Sequence, residues 1–400
     1  MILKTSKDIL GELVLCNHCL GRQFGKISIS TNERRGKVIR NLLINLNPEI
    51  STNLDQQKPC FLCDNIFERT EDIVKNISPD FEFFTFHVGT KIPEEIMKKE
   101  EMLKEKYNLQ YQESIKQELN RELGKEIGAI IGKEFKRDKE DVTILLRPYE
   151  SKFEYFINPL FIYGRYNKLL RGIPQTKWFC RKCKGRGCSK CGHTGKMYDE
   201  SVEELISEVF LKDTKGADSS FHGAGREDID VLMLGNGRPF VLEIKSPKIR
   251  DIDLQKLELE VNQMNEGKVR ISGLCFVEKD VVEKIKNTHM RKTYLAEMDA
   301  CLTEDEKIKI EEFFIERDIY QETPNRVVHR RADKTRIRKV YKVLTSKENC
   351  SSLEIYCDGG LYIKELISGD EERTNPSIAE LLGKNIKCVL LNVISIEEKV

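Results

Sequence analysis

Two spacings of apolar residues alternate along the chain and divide it into elements. Ile115, Leu119, Leu123, Ile127 and Ile131 recur every four residues, which predicts one face of a long helix in a helical region opened by Pro93. Phe81 to Val88 reads as a strand, and Val142 to Leu146 and Phe153 to Ile157 as two strands joined by a turn at Pro148. After a helix at Val202 to Leu211, Gly225 to Lys245 reads as an acidic hairpin, with one strand running into Gly235-Asn236-Gly237 and a second apolar strand leaving it. A strand at Val269 to Val277 and helices from Val281 to about Arg317 follow. The remainder predicts strands at Val340 to Leu344, Leu353 to Tyr356, Leu361 to Leu366 and Lys387 to Ile396, with Cys357-Asp358-Gly359-Gly360 as a hairpin turn. Hairpins interleaved with helices predict an α+β fold around a mixed or largely antiparallel sheet. The pattern divides into residues 1–165, a basic linker at 166–200, and residues 201–400.

Composition narrows the class. The chain has 400 residues, 39% hydrophobic and 33% charged, with a net charge of +1, as expected of a globular protein of two or three domains. It has no apolar run long enough to cross a membrane and no signal-peptide pattern at its N-terminus, so the expected location is the cytoplasm. The near-zero total hides two basic segments. Phe161 to Glu200 carries ten Lys or Arg and two acids, and Gln321 to Thr345 carries eight and two. Two such segments on a neutral chain predict a polyanion held in a groove.

Thirteen cysteines in a cytoplasmic chain point to metal ligands before disulfides. Cys16, Cys19, Cys60 and Cys63 form two Cys-x-x-Cys pairs, the donor set of a closed, structural zinc site, with His18 as a bystander. Cys180, Cys183, Cys188 and Cys191 form a second quartet, for which zinc or an iron–sulfur cluster fits. Its cations, Lys182 and Arg186 among them, would face phosphates. Cys275, Cys301, Cys350, Cys357 and Cys388 read as buried apolar side chains.

The acidic hairpin supports two chemistries. Asp230 with Glu243 and Lys245 imitates the Asp…Glu-x-Lys pattern of Mg²⁺-dependent nucleases. Asp228, in Gly225-Arg226-Glu227-Asp228, instead resembles the Arg-x-Asp element of pseudouridine synthases. In those enzymes one Asp breaks the glycosidic bond of a uridine flipped out of its stack. No phosphate-binding loop and no Gly-rich dinucleotide fingerprint is present.

The chain as a whole resembles the archaeal tRNA pseudouridine synthases that act on T-arm positions 54 and 55. The likeness runs through Cys16 to Gly25, Cys60 to Cys63, Asn158 to Arg165, Arg171 to Thr176, Gly225 to Lys245, Gln321 to Arg331 and Gly359 to Asp370. It implies a pseudouridine synthase catalytic domain at 201–400 and a zinc-knuckle, THUMP-like α/β RNA-binding module at 1–165. It further implies tRNA as partner, zinc as the structural metal, no organic cofactor, and no obligatory protein partner. Asp228 corresponds to the catalytic carboxylate and Tyr294 to the tyrosine stacked on the flipped uracil. Ile363 and Leu391 correspond to apolar pocket walls, and Lys364 to the basic residue paired with the Asp. Arg226 would fill the gap left by the flipped base. Arg326, Arg330 and Arg331, with Lys182 and Arg186, would contact the tRNA backbone. A non-catalytic RNA-binding protein with zinc knuckles is the remaining alternative.

Overall fold

The computed structural model describes residues 1–27, 30–46, 58–288, 290–330 and 332–397. They form two compact units, Met1–Asn158 and Pro159–Val400. No helix among the described residues is long and apolar enough to cross a membrane.

The first unit opens with three helices, α1 (Ile2–Glu12), α2 (Asn17–Arg22) and α3 (Asn32–Leu46), followed after the second cysteine pair by α4 (Thr70–Val74). Two glycines let α2 and α3 meet backbone to backbone. A β-carbon on Gly21 would lie 1.8 Å from the Asn32 carbonyl oxygen, and one on Gly36 would lie 1.9 Å from that of Asn17. The rest is a small sheet ordered β2-β1-β3-β4, built from β1 (Thr85–Thr90), β2 (Glu134–Phe135), β3 (Val142–Arg147) and β4 (Lys152–Ile157), with helices α5 (Glu94–Lys106) and α6 (Ile115–Ile131). Phe86 and Val88 of β1 and Val142, Ile144 and Leu146 of β3 alternate into the core, where Leu119, Leu123 and Ile127 of α6 also lie. A Ser114 capping box starts α6, and a left-handed Gly132 ends it. Phe81 to Phe84, expected as strand, precede β1.

The second unit is a ten-stranded sheet ordered β13-β10-β11-β12-β9-β14-β7-β5-β8, with β6 also on β7. Its strands are β5 (Leu160–Lys168), β6 (Asp218–Gly223), β7 (Leu232–Lys245), β8 (Val269–Phe276), β9 (Arg291–Met298), β10 (Arg317–Gln321), β11 (Arg336–Thr345), β12 (Ser352–Cys357), β13 (Thr374–Asn375) and β14 (Cys388–Glu397). Among the described residues the β7–β14 pairing is parallel and the other pairings of this sheet are antiparallel. Helices α7 (Val202–Thr214), α8 (Leu254–Met264), α9 (Asp280–Asn287), α10 (Glu304–Phe313), α11 (Ile363–Ser368) and α12 (Ile378–Leu382) complete it. Strand β5, which a boundary at 165 would divide, lies wholly in this unit, so the division between units falls at Asn158.

Four expectations are corrected. Gly235-Asn236-Gly237 is a bulge inside the continuous strand β7, because the residues on both sides pair with the same neighbour: Met233 is opposite Lys168 and Arg238 opposite Tyr166. A β-carbon on Gly235 would lie 1.8 Å from the Ile394 carbonyl oxygen, and Asn236 makes two 3.0 Å hydrogen bonds with the Ile396 backbone. The segment after Gly360 is helix α11, whose Ile363, Leu366 and Ile367 are buried at helical spacing. The helices expected from Val281 to Arg317 are interrupted by β9, whose Lys292, Tyr294, Ala296 and Met298 alternate inward. Lastly, Cys275 is exposed, and Cys301 and Cys350 are joined in a disulfide.

The α2–α3 contact yields a test. Gly36→Ala should destabilise the protein by about 1–3 kcal/mol or more, since backbone and not a flexible side chain must yield. Gly11→Ala, on α1 with nothing within 4 Å of the added carbon, should stabilise by about 0.4–1 kcal/mol. Urea midpoints of the two variants measure the difference.

Candidate active site

In the second unit a cleft of about 940 Å³ opens over the loop between β6 and β7. That loop, Ala224 to Val231, is held from beneath by buried charge. The Arg238 guanidinium of β7 forms an ion pair with Glu227, Nε lying 2.9 Å from Oε2, with neither side chain reaching solvent. The Tyr166 hydroxyl of β5 lies 2.9 Å from both Glu227 oxygens. Gln175 donates to that hydroxyl at 2.8 Å and to the Gly225 carbonyl at 3.0 Å, and Arg238 donates to the Ala224 carbonyl at 2.8 Å. From the far side the Lys168 ammonium donates to the Asp228 and Ile229 carbonyls at 3.2 and 2.9 Å. Burial pulls Lys168 down to about 8. Every one of these groups is desolvated, so each needs its partner, and the loop has one low-energy path.

That path presents two carboxylates to the cleft. Asp228 Oδ2 accepts from Arg326 at 2.8 Å, and the same guanidinium donates from Nε to the buried Glu365 at 2.6 Å. Asp230 Oδ2 accepts from the Lys364 ammonium at 2.6 Å, whereas Lys364 is 4.0 Å from Asp228. The direct cation on Asp228 is therefore Arg326, expected on the RNA backbone, and the direct partner of Lys364 is Asp230. Burial works to raise the Asp230 carboxyl, but the hydrogen bond and charge of Lys364 outweigh it and hold it below its ordinary value.

Tyr294, Ile363, Lys364, Leu391 and Arg226 all line the cleft with Asp228. Tyr294 is 9% exposed, and burial drives its hydroxyl well above the ordinary tyrosine range. Arg226 is exposed and lies over the Trp178 ring at 4.9 Å. Lys182 and Arg186 are exposed on the second cysteine knuckle, outside the cleft lining. Arg331 lies outside the described residues, as does the side chain of Arg330. Arg336 and Arg338 of β11 line the cleft as well. So does Lys292, which burial and then the Arg238 charge pull down to about 7.

The nuclease residues do not assemble. Glu243 is bound to His222 at 2.9 Å and Lys245 to Asp218 at 2.9 Å. Glu243 is opposite Phe161 and Met233 opposite Lys168, a separation of seven residues along β5, or roughly 23 Å of strand. Among the described residues, the groups of three or more metal-ligating side chains are the two cysteine quartets, whose Sγ atoms lie within 4.8 Å of one another. Neighbouring sulfurs are 3.6 Å apart for Cys16–Cys63, 3.9 Å for Cys180–Cys188 and Cys183–Cys191, and 3.7 Å for Cys188–Cys191. A single ion with metal–sulfur bonds of about 2.3 Å needs tetrahedral edges of about 3.8 Å, so each quartet could hold one. The fully buried Arg22 donates to Cys19 Sγ at 3.0 Å, a contact the sequence did not flag. His18 turns away to Glu118 at 2.9 Å and stacks on Phe67.

Comparison with known proteins shows the family of the chain. The family model "Pus10, C-terminal" matches residues 161–397, and "Pus10 THUMP domain, archaeal" matches residues 70–147. A Methanocaldococcus jannaschii protein named tRNA pseudouridine synthase Pus10 is 45% identical, over 98% of this chain and 94% of its own. Proteins of the same name from Pyrococcus furiosus and Methanothermobacter marburgensis are 40% and 42% identical, covering 100% and 96% of this chain and 99% and 95% of their own. The chain belongs to the Pus10 family.

Proposed function

We propose that the chain is a cytoplasmic tRNA pseudouridine synthase that isomerises uridine 55, and uridine 54 with it, in the T-arm, using Asp228. The observation that carries this is the position of Asp228. It is aimed into the cleft by a buried network, held by Arg326, and walled by Tyr294, Ile363 and Leu391. A uridine flipped out of the RNA stack enters the cleft and packs against those apolar walls. The bond between C1′ of the ribose and N1 of uracil breaks with the participation of the Asp228 carboxylate. The uracil turns, C1′ bonds to C5, the C5 proton leaves to solvent, and N1, freed from the ribose, takes up a proton in its place. The reaction is an isomerisation, so its atoms and electrons balance without a cofactor. Arg326, tied to Glu365, fixes the carboxylate and supplies positive charge beside the reacting atoms. Arg336 and Arg338 on the cleft wall, and Lys182 and Arg186 on the knuckle, would hold phosphates; the same role for Arg330 and Arg331 rests on sequence resemblance alone.

Zinc is the metal we assign to both quartets. A single tetrahedral ion suits sulfurs this close, whereas the thiolates of an iron–sulfur cluster bind different irons and need wider spacing. Four thiolates leave no open position, so the metal's part is structural.

Tritium release from an unmodified tRNA transcript labelled at uridine C5 tests the activity. Wild type should release tritium without cutting the strand, and Asp228→Ala should lower release by roughly 10³-fold or more. Mg²⁺-dependent cleavage without release would favour the nuclease. Arg326→Ala should lower the single-turnover rate roughly 10²-fold or more while shifting tRNA affinity little; a phosphate contact would do the reverse. Elemental analysis should find two zinc ions per chain, and a strong chelator should lower the unfolding temperature as they leave. Iron, or melting indifferent to chelator, would contradict the assignment.

A further inference from the structure

Trp178 is the single tryptophan of the chain, and nothing in the proposed chemistry uses it. It stands on the neck of the second cysteine knuckle. There Phe179 and Lys196 form a β-bridge, Met197 N–H donates to the Trp178 carbonyl at 2.9 Å, and Cys180 N–H donates to the Gly195 carbonyl at 2.7 Å. Tyr198, on the returning strand of that neck, meets the indole edge-on with centroids 5.6 Å apart. Both rings line the cleft that holds Asp228. The Arg226 guanidinium lies over the indole at 4.9 Å, and Arg226 is two residues from Asp228 on the same loop.

The knuckle beyond this neck is strongly cationic. Lys177 to Tyr198 contains seven Lys or Arg and no Asp or Glu. Lys177 and Lys196 lean on Glu204, while Arg181, Lys182, Lys184, Arg186 and Lys190 are exposed. An aromatic ring lining a cleft, on the neck of a knuckle that carries exposed cations, suits single-stranded nucleic acid. The cations take the backbone and the ring takes a base. Flipping a uridine out deprives its neighbour of a stacking partner, and a ring lining the cleft can replace it.

We propose that Trp178 is the stacking platform for the nucleotide adjacent to the flipped uridine, and that this base displaces Arg226 from the indole face. Arg226 gives up its cation–π contact as the RNA arrives. The Trp178–Arg226 stack is thus the resting form of an exchange of partners on the indole face. The proposal rests on the reading of the chain as an enzyme that flips a base from RNA.

Because Trp178 is unique, its emission reports the exchange without labelling. The full-length Asp228→Ala protein, which binds without turnover, is titrated with unmodified tRNA transcript, following Trp emission, acrylamide quenching, and the anisotropy of a fluorophore on the tRNA. Emission and acrylamide access should both fall, with the same midpoint as the anisotropy. Trp178→Ala in that background should weaken binding roughly 5- to 150-fold. Trp178→Phe should recover most of the loss, with thermal midpoints matching the parent, a recovery that a purely structural role for the indole would not show. Saturated anisotropy with unchanged emission and quenching would overturn the proposal, as would Trp178→Ala binding within twofold of its parent. Tritium release by wild type, assayed alongside, separates the two claims. Release with a silent tryptophan sinks the platform alone, and a responding tryptophan without release leaves Trp178 as an RNA-contacting ring but overturns its placement beside a flipped uridine.

Discussion

The ion pair between Glu227 and Arg238 is the constraint on which the cleft depends. Both charges are removed from water; the Tyr166 hydroxyl, itself held by Gln175, hydrogen-bonds Glu227, and Arg238 donates to the Ala224 carbonyl. Such a pair is weak evidence for stability, because desolvation offsets most of its Coulombic gain. Its effect here is on geometry. Displacing the loop would strand a buried carboxylate or guanidinium, at a cost of several kcal/mol. Glu227 is thereby pinned inward, and its neighbour Asp228 is presented outward. The fold supplies the partners in register: the bulge in β7 brings Arg238 opposite Tyr166, and Lys168, two residues along β5, holds the Asp228 carbonyl from the other side.

With the loop fixed, the cleft sorts its two carboxylates by partner. Asp228 shares Arg326 with the buried Glu365, and Asp230 takes Lys364. The asymmetry carries the functional argument. The cation on Asp228 is anchored by a second acid, so the Asp228–Arg326–Glu365 chain is a rigid unit. Asp230, 65% exposed at its side chain, meets a lysine on a flexible stem. Two aspartates that lie two residues apart thereby have different cation partners.

What could be read from the sequence follows the range of the interactions involved. Helix α6 was legible because its apolar spacing is local. The cysteine quartets were legible because the spacing of thiolate ligands within each pair is fixed. Asp228, Tyr294, Ile363 and Leu391 were found through resemblance, and the structure brings all four to one cleft. The misreadings were cases where a local signal met a non-local partner. Gly235-Asn236-Gly237 has hairpin chemistry, but strand β5, far away in sequence, pairs with both of its flanks. Leu361 to Leu366 fits a period of two as well as a helical turn, and burial against the sheet decides for the helix. Strand β9 was passed over because its inward positions include Lys292, a residue seldom buried. The Arg326 contact joins residues 98 apart, and no sequence pattern marks it; nor does any mark the pairing of Glu227 with Arg238.

The claim at the centre of this account is that the chemistry belongs to Asp228 and not to Asp230. Isosteric variants test it with least disturbance to the fold: Asp228→Asn and Asp230→Asn, compared for single-turnover pseudouridine formation on saturating tRNA transcript. The account predicts a loss of roughly 10³-fold or more for the first and a change of less than about tenfold for the second, whose lysine contact is partly exposed. Near-wild-type turnover in Asp228→Asn, with activity abolished in Asp230→Asn, would contradict it.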